Sequence, residues 1–267
     1  QNLTDRVEFE LIALGSERQA GAANSRSLTV ATTSIETQSF MVSPSLRFQL
    51  SDDWRLVVDA TYGESAVAWV RMNTNGTVGA SNWFDNKAGS LEATLSGPLF
   101  TLPGGPLQAV IGGGIRQAEF DRREGSVLGQ GDRDVKYIFG EVAFPLVTPS
   151  DTRFGLNSLD VTIAARAEEY SDFGSTANPK VGIRWVPAPS LVLRGTWGES
   201  FKAPSFTQTH NPLDIYHYRA AQLGSSTPGN GLFLYGGNTE LMPEESVSWA
   251  IGFDWTPATL TGLRFSA

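Results

Sequence analysis

The chain contains no cysteine, so a disulfide framework and a thiolate metal site are both excluded. It has no apolar run near the ~18 residues a membrane helix requires. That removes helical membrane proteins, but not strands that cross lipid with alternating residues. Base is scarcer than acid: 20 Lys and Arg stand against 28 Asp and Glu, and the net charge of −8 disfavours nucleic acid as a partner. There are only 2 histidines, His210 and His217, and no third ligand stands at metal-site spacing beside them. Enzyme signatures are also missing. No Gly-x-Ser-x-Gly elbow occurs, neither histidine neighbours a distinctive serine, and the glycines of 125–131 lack the Gly-Lys-Ser/Thr of a phosphate loop. The expectation is a protein without catalytic residues, cofactor or metal.

What is abundant is turn chemistry and alternation. With 28 Gly and 14 Pro, the 267 residues suit one large β domain or two small ones. From Ser246 to Pro257, Val247, Trp249, Ile251, Phe253 and Trp255 occupy one register, and Ser246, Ser248, Ala250, Gly252 and Asp254 the other. Side chains of a strand alternate between faces, so one side is apolar and the other small or polar. The same pattern recurs at Val7–Leu11, Leu46–Leu50, Trp54–Tyr62, Leu91–Leu95, Leu107–Ile115, Ile138–Leu146, Leu159–Ala165, Val181–Trp185 and Leu191–Trp197. About eleven strands of roughly 9 to 13 residues are expected, longer than is usual in soluble domains.

Two further signs bear on what the apolar register touches. Connections sort into a short set (51–53, 98–106, 147–157, 187–190, 257–262) and a longer polar set (15–35, 65–86, 120–134, 202–245), with 171–176 the one short exception. Membrane barrels have short turns at one end and long loops at the other. Trp54, Trp185 and Trp255 lie beside short turns on the apolar register, while Tyr62 and Trp197 lie toward the long-loop ends. Eight residues tilted at ~45° span about 19 Å, near the height of a lipid-facing band between aromatic girdles. A transmembrane antiparallel barrel is therefore preferred. Its alternatives are a passive porin-like channel and a soluble β-sandwich that binds carbohydrate or acts as an adhesin.

Charges on the other register (Arg6, Glu8, Glu10, Arg47, Arg55, Asp59, Glu92, Arg116, Glu141, Asp160, Arg166, Arg184, Arg194 and Asp254) suit a watery interior. In the long connections, Arg122, Arg123, His210, Tyr216, His217 and Tyr218 are the candidate ligand contacts, because loop aromatics and arginines often carry binding.

Four stretches resemble the C-terminal half of TonB-dependent receptors. They are the Leu102-Pro-Gly-Gly105 hairpin of 97–116; the hairpin of 141–147 and 165–176; 178–185 leading to 193–206, with Phe201-Lys-Ala-Pro204; and Asn238-Thr-Glu-Leu-Met-Pro-Glu244. Together they cover 90–267, and the N-terminal third matches by pattern alone. The resemblance implies a barrel of about 22 strands closed by a plug, placed in the outer membrane of a Gram-negative bacterium. It would import a scarce solute (a siderophore, saccharide, peptide or similar) with energy from the TonB–ExbB–ExbD complex. Residues 1–267 would be a fragment holding about half of such a barrel domain, without plug or TonB box. The expected partners are outer-membrane lipid, the solute and, through the missing part, the TonB complex.

Overall fold

The computed structural model describes residues 2–24, 31–125, 127–149, 154–224, 226–260 and 262–267. The strands in chain order are β1 (Asn2–Thr4), β2 (Val7–Asn24), β3 (Ala31–Gln49), β4 (Arg55–Met72), β5 (Val78–Leu102), β6 (Gly105–Glu124) and β7 (Val127–Val147). They continue as β8 (Ser158–Tyr170), β9 (Gly174–Ala188), β10 (Leu191–Lys202), β11 (Asp214–Arg219), β12 (Asn230–Tyr235), β13 (Glu244–Trp255) and β14 (Phe265–Ser266). One short helix, α1 (Phe206–His210), follows β10. All but β11 and β12 join a single 12-stranded antiparallel meander, while β11 and β12 form a separate hairpin. Among the described residues β1 and β14 do not pair with each other, so the sheet is open between them. Among the described residues the only other sheet is the two-stranded β11–β12 hairpin, too small to form the second layer of a sandwich, which removes that alternative.

Register fixes the faces. Along one row, Leu46 pairs with Val58, Val58 with Ala93, Ala93 with Gly113 and Gly113 with Ile138. Farther round the sheet, Ile183 pairs with Gly195 and Gly195 with Ile251. Every member of these rows is apolar or glycine, and the belt runs unbroken to Trp255, opposite Leu191. The expected interior charges from Glu8 to Asp254 fall on the opposite face, as the alternation requires, while Arg6 lies in the turn before β2. Outward on the belt, Trp249 is 73 % and Ile251 79 % exposed, so neither is packed in a protein core.

The strands are longer than the sequence suggests. β2 to β7 have 18 to 25 residues, and β8, β9, β10 and β13 have 12 to 15. The segments 15–35, 65–86 and 120–134, expected as loops, are mostly strand. Their polarity marks where the wall leaves the apolar belt, because a ladder already in register continues as long as hydrogen-bond partners extend beside it. Arg122, Arg123 and Arg133 thus sit on strands. Tips at 25–30, 126, 150–153, 225 and 261 lie outside the described residues.

At the short-turn end, the Trp54 ring lies over Gly97, where a Cβ would come within 2.5 Å of the indole. Trp185 donates its Nε1–H to the Gly155 carbonyl at 3.0 Å, and Trp255 stacks on Phe265 at 5.5 Å. On the polar face the glycines of β6 have a different task. Gly112 and Gly114 leave room for the Phe139 and Tyr137 side chains, and a Cβ on Gly114 would meet the Tyr137 hydroxyl at 2.8 Å and press on the Leu91 carbonyl. Gly114→Val is expected to destabilise the sheet by about 1–3 kcal/mol, read as a lower melting temperature of the β-sheet circular dichroism. Gly140→Val, where the nearest obstacle is Val110 O at 3.5 Å, should change it little.

Candidate functional site

The long connection after β10 folds back onto the polar face of the wall. Ser205 caps α1: its Oγ accepts from the Gln208 amide at 3.3 Å, and Gln208 Oε1 accepts from the Ser205 amide at 2.9 Å. One turn of helix has little stability alone, so its docking holds it. Phe206 stacks on Phe120 of β6 at 5.8 Å. His210 and Pro212 lie over Gly131 and Gly129 of β7, and a Cβ on Gly131 would fall 2.9 Å from both the His210 Nδ1 and the Phe206 ring. Two glycines on one face of a strand thereby make a seat for a second segment. Thr209 and Asn211 are buried there, and Thr209 Oγ1 lies 2.7 Å from His210 Nδ1.

Arg133, on β7 beside this seat, ties three segments together. Its guanidinium donates to Asp172 of the β8–β9 turn at 2.6 Å and to the Pro204 carbonyl at 2.8 Å. It also stacks over Phe206 at 4.9 Å, Phe173 at 5.3 Å and Tyr170 at 5.9 Å. An arginine 11 % exposed with a carboxylate, a carbonyl and three rings around it is a structural clamp. Farther along, Asn238 donates its amide to the Gln208 carbonyl at 2.8 Å and Gly237 donates to Asn211 O at 2.8 Å. The Phe201–Pro204 and Asn238–Glu244 segments, far apart in sequence, therefore both end on α1.

Below the clamp a polar network crosses the wall from β8 to β5. Arg116 donates to the Tyr170 hydroxyl at 3.3 Å, and that hydroxyl donates to Glu168 at 3.0 Å. Glu168 also accepts from Arg166 at 2.8 Å, whose guanidinium lies 4.0 Å from the centre of the Tyr137 ring. Tyr137 in turn donates to Glu92 at 2.9 Å. The contacts from β5 to β7 and from β6 to β8 reach across an intervening strand, so this face is lined by side chains that close on one another.

The six expected ligand contacts do not form one cluster. Arg122 points to the polar face, pairs with Glu124 and lies over Phe84 at 5.3 Å. Arg123, one residue on, points to the opposite face. His210 is packed into the wall. Tyr216 and Tyr218 share one face of the β11–β12 hairpin with Phe233, at ring separations of 6.2 to 6.4 Å, and His217 stands on the other face opposite Leu232. Tyr216 and Phe233 are 44 % and 45 % exposed, so this aromatic surface is open to solvent. The Asp214 carboxylate, helped by partial desolvation and by Glu124, pushes the Tyr216 phenol above its ordinary value. Among the described residues no group of three or more His, Asp and Glu is placed to hold a metal ion. The chemistry on offer is stacking and hydrogen bonding.

The sequence offers Arg133, with Arg122 and Arg123, as a contact for an anionic solute or as part of a solvated, charge-compensated tip. The structure instead ties it to Asp172 and Pro204. Reasoning from sequence missed the Gly129/Gly131 seat. Its signal was glycines spaced by two within a strand, beside an arginine flanked by Asp132 and Asp134.

The sequence profile of the family described as TonB dependent receptor-like, beta-barrel, matches residues 7–267. No curated protein sequence matches. Among solved structures, the RagAB peptide importer in the closed-closed state superimposes with TM-score 0.55 at 12 % identity, covering 84 % of this chain and 28 % of that one. A ferric enterobactin receptor mutant (PfeA) from Pseudomonas aeruginosa, in complex with enterobactin, gives 0.53 at 10 % identity, covering 97 % and 53 %. The chain thus spans well under two thirds of the RagAB chain, and likenesses at such identities concern the fold alone.

Replacing Arg133 by Ala should free α1. Amide deuterium uptake over 204–212 and at Gly237 and Asn238 is expected to rise roughly tenfold, with β8 and β9 protection unchanged. Arg133→Lys, which keeps the charge and loses the planar fork, should recover only part of the protection.

Proposed function

This chain belongs to the TonB-dependent receptor β-barrel family, and on that premise we propose that it forms part of the wall of an outer-membrane importer. Barrels of this family are outer-membrane proteins of Gram-negative bacteria. The observation carrying the reading for this chain is the continuous apolar belt on one face of the sheet and the hydrogen-bonded, charged network on the other. The belt faces lipid, with Trp54, Trp185 and Trp255 at the periplasmic interface and Tyr62 and Trp197 toward the outer one. The polar face lines the interior, against solute and plug.

The connection from 203 to 243 is then extracellular. Tyr216, Tyr218 and Phe233 carry first contact with solute, Arg122 and His210 shape the wall behind them, and Arg123 and His217 face away from that surface. The solute is a scarce siderophore, saccharide, peptide or similar molecule. Energy would come from the TonB–ExbB–ExbD complex acting through a plug in the whole receptor, which sets this reading apart from a passive porin. The protein binds and moves its solute without covalent chemistry.

Two measurements test this. Ile251→Arg, at the middle of the belt, should cost about 2–4 kcal/mol of unfolding free energy in lipid, and Ala250→Arg on the opposite face less than about 1. Equal costs, or a protein soluble without detergent, would exclude the membrane assignment. For transport, cells expressing the protein are offered ferric catecholates, ferric hydroxamates, oligopeptides and maltooligosaccharides. One class should accumulate, dissipating the proton gradient should abolish it, and Tyr216→Ala with Tyr218→Ala should weaken binding roughly tenfold. Uptake indifferent to the gradient would instead indicate a passive channel.

A further inference from the structure

Above the belt, opening chiefly on the outward face, lies a groove of about 570 Å³, whose lining also includes Val67, Phe84 and Arg122 of the inner register. Its floor is Ala66 and Ala68 of β4, whose small side chains leave the space. On the β3 side stand Glu36 and Gln38, paired at 3.1 Å. On the β5–β7 side stand Trp83 and Asp85, then Asp121 paired with Gln130 at 2.6 Å. Register places Ala68 opposite Trp83 and Ala66 opposite Asp85, so all these groups belong to the outward face. Trp83 is 50 % exposed. A second depression of about 520 Å³ shares Glu36, Ala68 and Trp83 and extends the groove toward β2.

Trp83 is no membrane anchor. Going up the wall from the belt, the row Glu64, Lys87, Glu119 and Asp132 comes first, and charged side chains of this density do not sit in hydrocarbon. Trp83 lies six residues beyond Gly89, about 15 Å higher for a strand tilted ~40°. An exposed indole in water, with Glu36 and Asp121 nearby each paired with a glutamine amide, suits neither a lipid chain nor a metal ion. Arg123, opposite Trp83, and Arg122 line the same groove beside Glu36, Asp85 and Asp121, so its charges are mixed and do not by themselves select an ion. A neutral polyol fits: one face of a pyranose is C–H and stacks on an indole, while its hydroxyls both donate and accept. Gln38, Gln130 and the carboxylates supply both partners.

We propose that this groove is a saccharide-binding site, separate from the import path. The inference rests on the membrane reading above, which puts the groove at the height of the sugars of the outer leaflet. Those sugars and glycans from outside the cell share the chemistry.

The protein, purified from outer membranes in detergent, is mixed with two probes: the delipidated core oligosaccharide of its host's lipopolysaccharide, and a set of soluble malto- and chitooligosaccharides. Saturation-transfer NMR should show ring C–H contacts, and Trp83→Ala should weaken binding roughly tenfold. Ala68→Phe fills the floor and should block binding with Trp83 intact. Heat-modifiable gel migration verifies that each variant is folded. Core oligosaccharide bound through Trp83 supports a site for the cell's own glycolipid, and binding of only the soluble set supports a site for foreign glycans. A folded, membrane-inserted protein that binds neither, or binds both equally well without Trp83, overturns the proposal and leaves the barrel assignment standing. A protein that never enters the membrane defeats that assignment instead.

Discussion

In hydrocarbon a backbone N–H or C=O has no water to turn to, so a chain that crosses as strands must close its hydrogen bonds on neighbouring strands. The rest of this structure depends on that constraint. An antiparallel ladder fixes a period of two, and the period sends one half of each strand outward and the other half inward. The apolar belt, the position of the tryptophans and the location of every interior charge then follow from which register a residue occupies. With an exposed belt and few buried side chains among the described residues, the fold relies on its ladder more than on a protein core.

Glycine controls what happens on the inner face. Where β6 carries Gly112 and Gly114, the rings of Phe139 and Tyr137 lie across it and Arg166 stacks above them. Where β7 carries Gly129 and Gly131, α1 sits down on the wall. Removing side chains from a strand creates room for other groups, and in both places an arginine completes the arrangement. Arg133 stabilises the second one by satisfying the Pro204 carbonyl and Asp172 while its guanidinium is shielded by rings. The start of the connection after β10 is thereby held against the wall, and the aromatic hairpin that follows it stays exposed.

The faces were legible because alternation is a property of single strands. The charges from Glu8 to Asp254 take the register that the sequence indicates. Strand length was not legible. Residues such as Glu17, Asp85 and Asp121 look like loop residues because they are polar, yet they remain in the ladder, since above the belt both faces meet water. The same rule separates neighbours that the sequence invites one to group. Arg122 and Arg123 point to opposite faces, as do Tyr216 and His217. The seat for α1 depends on contacts between 129–131 and 206–212, a pairing that no local pattern encodes.

The assignment of faces is the central claim, and the lack of native cysteine makes it directly measurable. Single cysteines placed in turn at 247 to 255 of β13 would carry nitroxide spin labels, with the protein in lipid bilayers. Collision with oxygen, which concentrates in hydrocarbon, is compared with collision with a water-soluble nickel chelate. Odd positions should favour oxygen and even positions nickel, in strict alternation. Odd positions shielded from both reagents, as in a packed protein core, would contradict the account.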